Sequence, residues 1–504
     1  MHVESVAWIS GRKDVLNSFF LLSGLISWLF FIKERRFKYF WLLFSFVLFI
    51  LACLSKATAV VFPVILILIN YLFTDEENIN HGKALLKAIS PRNILPLLPF
   101  FAVSVFFGLM AVQLQSGENF LGMMKFIKDP HDVVNIVAPF SGLQRIQIAA
   151  YGFFVYLVKF VIPANQAAFH PYPELSEING ENFSLLLWLA LIAFFILFCL
   201  VIFSMKKTRL FMFCFGFYLV TLALVLQFVS VGNAIFAERY TYLPYIGLAI
   251  IPAYFISESQ GRIKQILLII SALFILIMLI LARNQVKVWN STESLWTQVI
   301  ERYPDLEMAR GARGKYYYML SAHSENEKDK RALEEKAMTD FRVAIREKSG
   351  TAEVYEGMGV ILLGRNELKS ALQLLNVAIK LNPEKGRTYY NRAVIFDQLN
   401  QKEDAIRDYE SALTFSPDMA LEILRNRSVL YIETDRYENA IKDLDELIKI
   451  DGKEFTHYYN RAFSKLMLKD IEGAIEDYKS VLRLNPGDKE TLEHLRVLTE
   501  TLKN

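Results

Sequence analysis

Cysteine is scarce: Cys53, Cys199 and Cys214 are the three in 504 residues, and each lies inside an apolar run. They read as small buried hydrophobes and say nothing about redox compartment. Charge is scarce too, at 21% of residues with a net value of +3, so no general attraction to nucleic acid follows. There is no Walker phosphate loop, no Cys/His metal spacing and no serine nucleophile elbow, which removes three common routes to catalysis. The segment from Met1 to Asp14 lacks the basic-then-apolar pattern of a cleavable signal peptide, so the first apolar run itself would direct insertion.

What the chain has instead is apolar length. Hydrophobic residues make up 54% of it, Phe alone occurs 40 times, and mean hydropathy is +0.29. A hydrocarbon core of ~30 Å needs about 20 apolar helical residues. Runs near 15–32, 39–54, 57–73, 93–114, 144–163, 183–204, 210–231, 240–257 and 264–282 qualify or nearly so. The stretch 39–73 breaks at Ser55-Lys56, which predicts a tight hairpin. Basic loops set orientation. Lys33, Arg35, Arg36 and Lys38 mark one inner loop, Lys206, Lys207 and Arg209 a second, Arg262 and Lys264 a third. An even number of crossings must separate the first two loops, yet five runs do. The run 144–163 carries Arg145 and Lys159 and ends at Pro163, so it is expected to be tilted, re-entrant or interfacial, leaving eight spans.

After about Arg283 the sequence becomes charged and repeats every 34 residues. Small residues recur at Gly359, Ala393, Ser428 and Ala462, then at Ala371, Ala405, Ala440 and Ala474. Large ones follow at Leu375, Tyr409, Leu444 and Tyr478, and Pro383, Pro417, Gly452 and Pro486 close the units. This is the tetratricopeptide (TPR) pattern of paired helices stacked into a solenoid. A degenerate unit from Ala309 to Ala344 precedes the four, and Lys489 to Asn504 reads as a polar capping helix. The fold expected is all-α: a polytopic membrane domain over 1–283, a linker and degenerate unit over 284–350, four TPR units over 351–488 and a cap over 489–504.

Within the repeats Asn391, Asn426 and Asn460 each precede an arginine and a small residue. On that helix face a carboxamide can both donate to and accept from a peptide bond, so a protein or peptide held on the concave surface is one reading. Solvation of an inner surface by these Asn and Arg side chains is the other. In the apolar half, His2, Glu4, Arg12, Lys13 and Asp14 flank the first run and can form an anion-binding or acid–base cluster, or a solvated flank. Arg239 can grip a phosphate bidentately or pair with Glu238 beside interfacial tyrosines. Lys56 at the hairpin tip can meet a lipid phosphate or snorkel. The loop Phe169-His170-Pro171-Tyr172-Pro173 is aromatic and stiff, with no reaction of its own.

Together, His2-Val3-Glu4-Ser5-Val6-Ala7-Trp8-Ile9-Ser10-Gly11-Arg12-Lys13-Asp14, Leu54-Ser55-Lys56, Phe169-His170-Pro171-Tyr172-Pro173 and Glu238-Arg239-Tyr240-Thr241-Tyr242-Leu243-Pro244 resemble the TPR-bearing membrane glycosyltransferases of the GT-C class. These are bacterial relatives of the transmembrane-and-TPR protein O-mannosyltransferases. The resemblance covers almost the whole chain, in order. It implies transfer of a sugar from a polyprenyl-phosphate carrier to a protein hydroxyl on the outer, periplasmic face of a bacterial inner membrane, with the TPR units presenting the acceptor. In it Glu4 and Asp14 are the catalytic candidates, and Arg12, Lys56 and Arg239 hold the lipid phosphate. Asn391, Asn426 and Asn460 hold the peptide, and a divalent metal is admitted. The family also carries a leading span and an acidic loop ahead of the His-Val-Glu-Ser stretch, which this sequence does not, so a truncated, inactive enzyme is expected as readily as a complete one. A non-catalytic membrane anchor whose repeats gather partners for envelope assembly is the competing class. A transporter is a third, disfavoured by the few charges within spans and the lack of a repeated half.

Overall fold

The computed structural model describes residues 3–4, 11–34, 36–73, 81–116, 140–163, 166–172, 180–205, 208–226 and 234–501. These are almost wholly helical and fall into two compact units, Met1–Arg302 and Tyr303–Asn504. The boundary lies beyond the expected Arg283. The apolar helix Gly261–Val288 runs past that residue, and Gln285 on it exchanges amide hydrogen bonds of 3.2 and 3.4 Å with Gln298 of the next helix, Thr292–Arg302.

In the first unit, Arg12–Lys33 and Lys38–Ser55 form an antiparallel pair. Small residues let them close up: Ser45 Oγ donates to the Gly24 carbonyl at 2.9 Å, and a Cβ on Gly24 would meet the Phe62 ring at 3.0 Å. Such contacts are how helices associate where burial from water supplies no drive. Helix Lys38–Ser55 stops where the sequence predicts. Lys56 is extended, Ala57–Val61 is a 3₁₀ turn, and Pro63 sits in the first turn of Phe62–Leu72, where its missing N–H costs nothing. Phe49, Phe62 and Phe100 pack on one another, and Phe100 meets edge-on the ring of Trp28, whose indole N–H reaches Asn70 at 3.0 Å. A second cluster joins Phe153 and Tyr156 of helix Gly142–Val161 to Phe215, Tyr218 and Tyr245. His170–Pro171 and Ala234–Phe236 pair as a two-stranded antiparallel ribbon, with His170 opposite Phe236.

Five described helices are long and apolar enough to cross a membrane: Arg12–Lys33, Lys38–Ser55, Pro91–Ala111, Phe183–Ser204 and Gly261–Val288. Ala57–Leu72 and Leu210–Ala223 are apolar but shorter, and Pro244–Glu258 has 15 residues. At 1.5 Å per residue a 15-residue helix reaches roughly 22 Å, shorter than the ~30 Å core. The apolar window of Gly261–Val288 has no buried residue among the described residues, and Gln285 near its end is the one buried position on the helix, the pattern of a helix whose solvent is lipid. Cys53 and Cys214 are buried as expected. Cys199 is exposed on the apolar surface of its helix, a setting that suits a small hydrophobe equally well.

The second unit is a stack of helix pairs. Glu307–Ala322 pairs with Glu327–Arg346, Ala352–Gly364 with Leu368–Leu381 and Gly386–Gln398 with Lys402–Phe415. Ala420–Glu433 pairs with Tyr437–Ile450 and Phe455–Met467 with Ile471–Leu484, and Lys489–Thr501 follows as the cap. Ala371, Ala405, Ala440 and Ala474 are fully buried, and so are Leu375, Leu444 and Tyr478. Each hairpin turns through a left-handed residue at Asn366, Asn400, Asp435 and Lys469, which frees the next N–H to bond the carbonyl five residues back at 2.8–2.9 Å.

Candidate functional site

The recurrent arginines of the repeats are structural. Arg392 donates from Nε and a terminal nitrogen to the two oxygens of Asp408 at 2.6 and 2.7 Å. Arg427 does the same to Asp443 at 2.8 and 2.7 Å, and Arg461 to Asp477 at 2.9 and 2.6 Å. Each bond ties the first helix of a unit to its second. The other terminal nitrogen of Arg392 bonds Asn376, and that of Arg461 bonds Asp445, both on the preceding unit. One planar guanidinium therefore fastens three helices, a geometry that lysine cannot match. The reading of these arginines as a solvating inner surface is overturned. Their signal in the sequence is an aspartate sixteen residues on, in phase with the repeat.

The same staple locates the degenerate unit. Arg313 meets Asp340 at 2.7 and 2.9 Å, and Gly314 lies against Phe341 as Gly359 lies against Leu375. Gly314 to Ala337 is 23 residues where the other units span 12, so a charged insertion around Ser324 to Lys330 lengthens both helices of that hairpin. In the unit 352–381 Met358 and Leu374 occupy the staple positions and join the apolar core.

With the arginines held, the asparagines are what remain. Asn391, Asn426 and Asn460 are all half-buried. Asn426 donates to the Tyr390 hydroxyl of the preceding unit at 3.2 Å, so one carboxamide of the three is partly committed. The side chains of Asn391 and Asn460 make no hydrogen bond among the described residues. The equivalent positions upstream are Ala312 and Gly357, which limits the ladder to three rungs.

In the first unit, residues from distant segments converge. Glu4 is buried and accepts from the Arg239 backbone N–H at 3.1 Å and from its guanidinium. Arg239 thus pairs with Glu4 and not with Glu238, since successive residues of the 3₁₀ turn Glu238–Thr241 point apart. Asp14, also buried, pairs with the Lys56 ammonium. Lys56 and Arg239 both lie over the Tyr240 ring, 6.0 and 5.1 Å from its centre. Burial lowers the pKa of Lys56, against the opposing pull of Asp14. Arg12 is exposed and forms no ion pair among the described residues, so the cluster does not include it. His2 and Lys206 lie outside the described residues, as does most of the N-terminal flank.

A neighbouring group was not singled out from sequence. Lys159 stands 3.3 Å from His170 Nε2 and 4.0 Å from Glu238. Burial, with Glu4 adding to it against Lys159, pushes Glu238 up to about 7, and its Oε1 has no hydrogen-bond partner. Burial and the charges of Lys159 and Arg302 push His170 down to about 3. The available signal was Lys159 itself, a cation inside an apolar run.

Asp14 Oδ2 and Asn17 Oδ1 are buried acceptors without partners on one helix. A hard divalent cation requires about six oxygens. Here the donor set is one carboxylate oxygen and one amide oxygen beside an ammonium group, and no group of three or more His, Cys, Asp or Glu gathers elsewhere among the described residues. The residues do not fit a divalent metal.

A tetratricopeptide repeat family model matches residues 386–419 and 421–454. The chain is 35% identical over 88 residues to serine/threonine-protein phosphatase 5 of Rattus norvegicus, which covers 18% of this chain and 17% of that protein. It is 28% identical over 135 residues to tetratricopeptide repeat protein 6 of Homo sapiens, covering 27% and 26%. The Hsp70-Hsp90 organizing protein of Triticum aestivum is 22% identical over 184 residues, covering 36% and 24%. Among solved structures, YrrB, a TPR protein with an unusual peptide-binding site, aligns at 16% identity and a TM-score of 0.36 over 41% of this chain and 100% of that one. The chain thus contains tetratricopeptide repeats, and it spans about a quarter or less of the length of these curated relatives.

Proposed function

We propose that this chain is a membrane-anchored scaffold whose TPR units hold extended protein segments through Asn391, Asn426 and Asn460. The observation that carries this is the division of labour within the Asn-Arg-small triplet. The arginines are consumed by stapling, while two of three in-phase carboxamides make no hydrogen bond among the described residues on half-buried positions. Amide groups in that state pair with any peptide backbone, so recognition would tolerate many sequences. The wheat relative, by its name, organizes two other proteins, which supports the same class of role here. The apolar helices of the first unit would hold the solenoid at a bilayer, with its outer placement resting on the basic loops.

The test is selection of binding peptides from a displayed random library on the purified full chain, followed by titration against the Asn391→Ala/Asn426→Ala/Asn460→Ala variant. Three lost net hydrogen bonds of ~0.5–1.5 kcal/mol each predict binding about 10-fold to 1000-fold weaker. Unchanged affinity sinks the reading.

A second reading, sugar transfer from a polyprenyl phosphate to a held protein acceptor, is favoured by one observation. Glu4, Asp14, Lys56 and Arg239, picked from three separate motifs, meet around Tyr240. In this reading Arg239 and Lys56 exchange their carboxylate partners for the lipid phosphate, and the released Glu4 or Asp14 accepts the acceptor hydroxyl proton. Radiolabelled sugar transfer to a bound peptide by the full chain, absent in Asp14→Asn, is the measurement. No transfer from any polyprenyl-phosphate sugar leaves the scaffold alone.

A further inference from the structure

In the unit 352–381 Gly357 stands where later units carry an asparagine, and beside it Glu356 is only 7% exposed. Its Oε2 accepts from the Lys385 ammonium at 2.5 Å, while its Oε1 has no hydrogen-bond partner. Lys385 comes no closer than 3.8 Å to Glu353, and its side chain stays 28% exposed. One ammonium thus serves one oxygen of a buried carboxylate and leaves the other bare, which is costly where water is excluded.

Near this carboxylate the lengthened hairpin shapes a cleft of about 760 Å³. Tyr318 comes from its first helix, Arg331 and Glu334 from its second, and Val360 and Ile361 from helix Ala352–Gly364. Val360 follows Gly357 by three residues, as Val394 follows Asn391, so the cleft opens on the helix face that bears the asparagines further on. Tyr318 links cleft and carboxylate. A Cβ on Gly357 would meet its ring at 3.8 Å. Burial raises the pKa of its hydroxyl, Glu356 and Glu334 add to that, and Arg387 opposes them. The remaining charges are met locally: Glu335 at 2.8 Å and Glu334 at 3.7 Å hold Arg365, and Glu327 at 3.6 Å holds Lys330. Arg331 and Arg387 are exposed, where water satisfies them. The unmet demand is for a donor at Glu356.

We propose that this cleft seats an arginine of the protein segment held by the repeats, its guanidinium taking the place of the Lys385 ammonium on Glu356 and lying on the Tyr318 ring. A guanidinium bonds both oxygens of a carboxylate at once, as Arg427 does to Asp443 in the same solenoid. Lysine cannot match that fork, and a neutral side chain brings weaker bonds. An arginine over an aromatic face adds cation–π attraction. Spacing sets the register. First helices of successive units are side-chain neighbours, since Asn426 reaches Tyr390, and packed helices lie roughly 8–10 Å apart. A segment rising ~3.3 Å per residue crosses one unit in about three residues. The arginine therefore falls about three residues from the one at Asn391, on the side away from Asn460.

This deepens the scaffold reading and rests on it, so the test separates the two. Peptides selected from a displayed random library on the purified full chain are expected to share an arginine at one fixed position. Replacing that arginine by Gln weakens binding about 10- to 100-fold, the worth of a charge-assisted pair, and replacing it by Lys weakens binding less. Glu356→Gln on the protein gives a similar loss, and the two Gln changes together lose no more than either alone. Lys385→Met removes the competing ammonium, so the arginine peptide binds tighter while its Gln version does not. Should Lys385→Met misfold because Glu356 loses its partner, the Glu356→Gln cycle still decides. Selection that yields no peptide sinks both readings. Peptides that depend on the three asparagines, yet bind equally with Arg or Gln, overturn this proposal alone, as do losses that simply add in the cycle. An arginine effect cancelled by Glu356→Gln, with the asparagine variant binding normally, upholds the arginine seat and removes the ladder.

Discussion

The Arg427–Asp443 staple can be cut and then repaired with parts the chain already uses. Both side chains are largely covered, 12% and 8% exposed, and they are joined by two charge-assisted bonds. Arg427→Met leaves a carboxylate buried without its partner, and breaking such a pair costs about 3–5 kcal/mol. Asp443→Leu leaves the arginine, which can extend toward water, so its cost is smaller, about 1–3 kcal/mol. The unit 352–381 holds Met358 and Leu374 at the same two positions, packed in its core. A buried ion pair replaced by well-packed apolar residues is often neutral or stabilising. Arg427→Met/Asp443→Leu should therefore recover to within about 1 kcal/mol of wild type, an interaction energy of at least ~2 kcal/mol between neighbouring sites. Denaturant titration of the full chain gives the energies, and hydrogen exchange at the amides of 420–450 shows where the opening occurs. If the two single losses simply add in the double variant, the staple is not the pairwise device described.

The Glu238–His170 neighbourhood should make folding stability flat between about pH 4.5 and 6.5, because in the folded state Glu238 holds a proton there that the unfolded chain has lost while His170 lacks one that the unfolded chain has gained. Glu238→Gln should leave stability falling as pH drops below 6.5, at ~1.4 kcal/mol per pH unit, and His170→Asn should leave it falling as pH rises from 4.5 toward 7; unfolding followed by tryptophan fluorescence across that range checks both signs. Lys469 turns its hairpin with φ 65°, which strains a side chain bearing a Cβ, so Lys469→Gly should raise stability by about 0.5–1 kcal/mol, read as a higher melting temperature, whereas Asn400→Gly should change little. If Arg239 serves a lipid phosphate, Glu4→Gln should tighten binding of a polyprenyl-phosphate analogue about 5- to 10-fold by freeing the guanidinium, and Arg239→Lys should weaken it; Glu4→Gln binding no better means Glu4 is a structural counter-ion.

The solenoid was legible because its period writes the same packing requirement four times, at Ala371, Ala405, Ala440 and Ala474, so chance matches average out. The unit 307–346 was only outlined, since its insertion displaces Ala337 from the place the period assigns. In the first unit, apolar runs fixed where helices occur, but not which residues meet. Glu4 and Arg239 are 235 positions apart and joined by one ion pair, and no local pattern records such a contact. Lys159 was visible as an oddity, yet its partners lie in a two-residue strand and a 3₁₀ turn, where hydropathy says nothing. Helix ends were less legible for a related reason: Leu224 and Val225 continue the apolar run that starts at Leu210, yet the helix ends at Ala223.

From Gly386 onward each unit presents the same sockets to both neighbours. The left-handed turn and the sixteen-residue reach forward to aspartate recur in all three, and the sixteen-residue reach back to the previous unit recurs at Arg392 and Arg461. A gene that duplicated or lost one such block would hand the remaining units a surface they already fit. The block 352–381 offers no such exchange. A Cβ on its Gly357 would meet at 3.0 Å the ring of Phe341 from the lengthened hairpin ahead of it, and its own staple is apolar. Evolution can therefore count upward or downward at the far end of this stack while its first two units remain a matched pair, and relatives with more or fewer asparagine rungs are reachable by a single recombination.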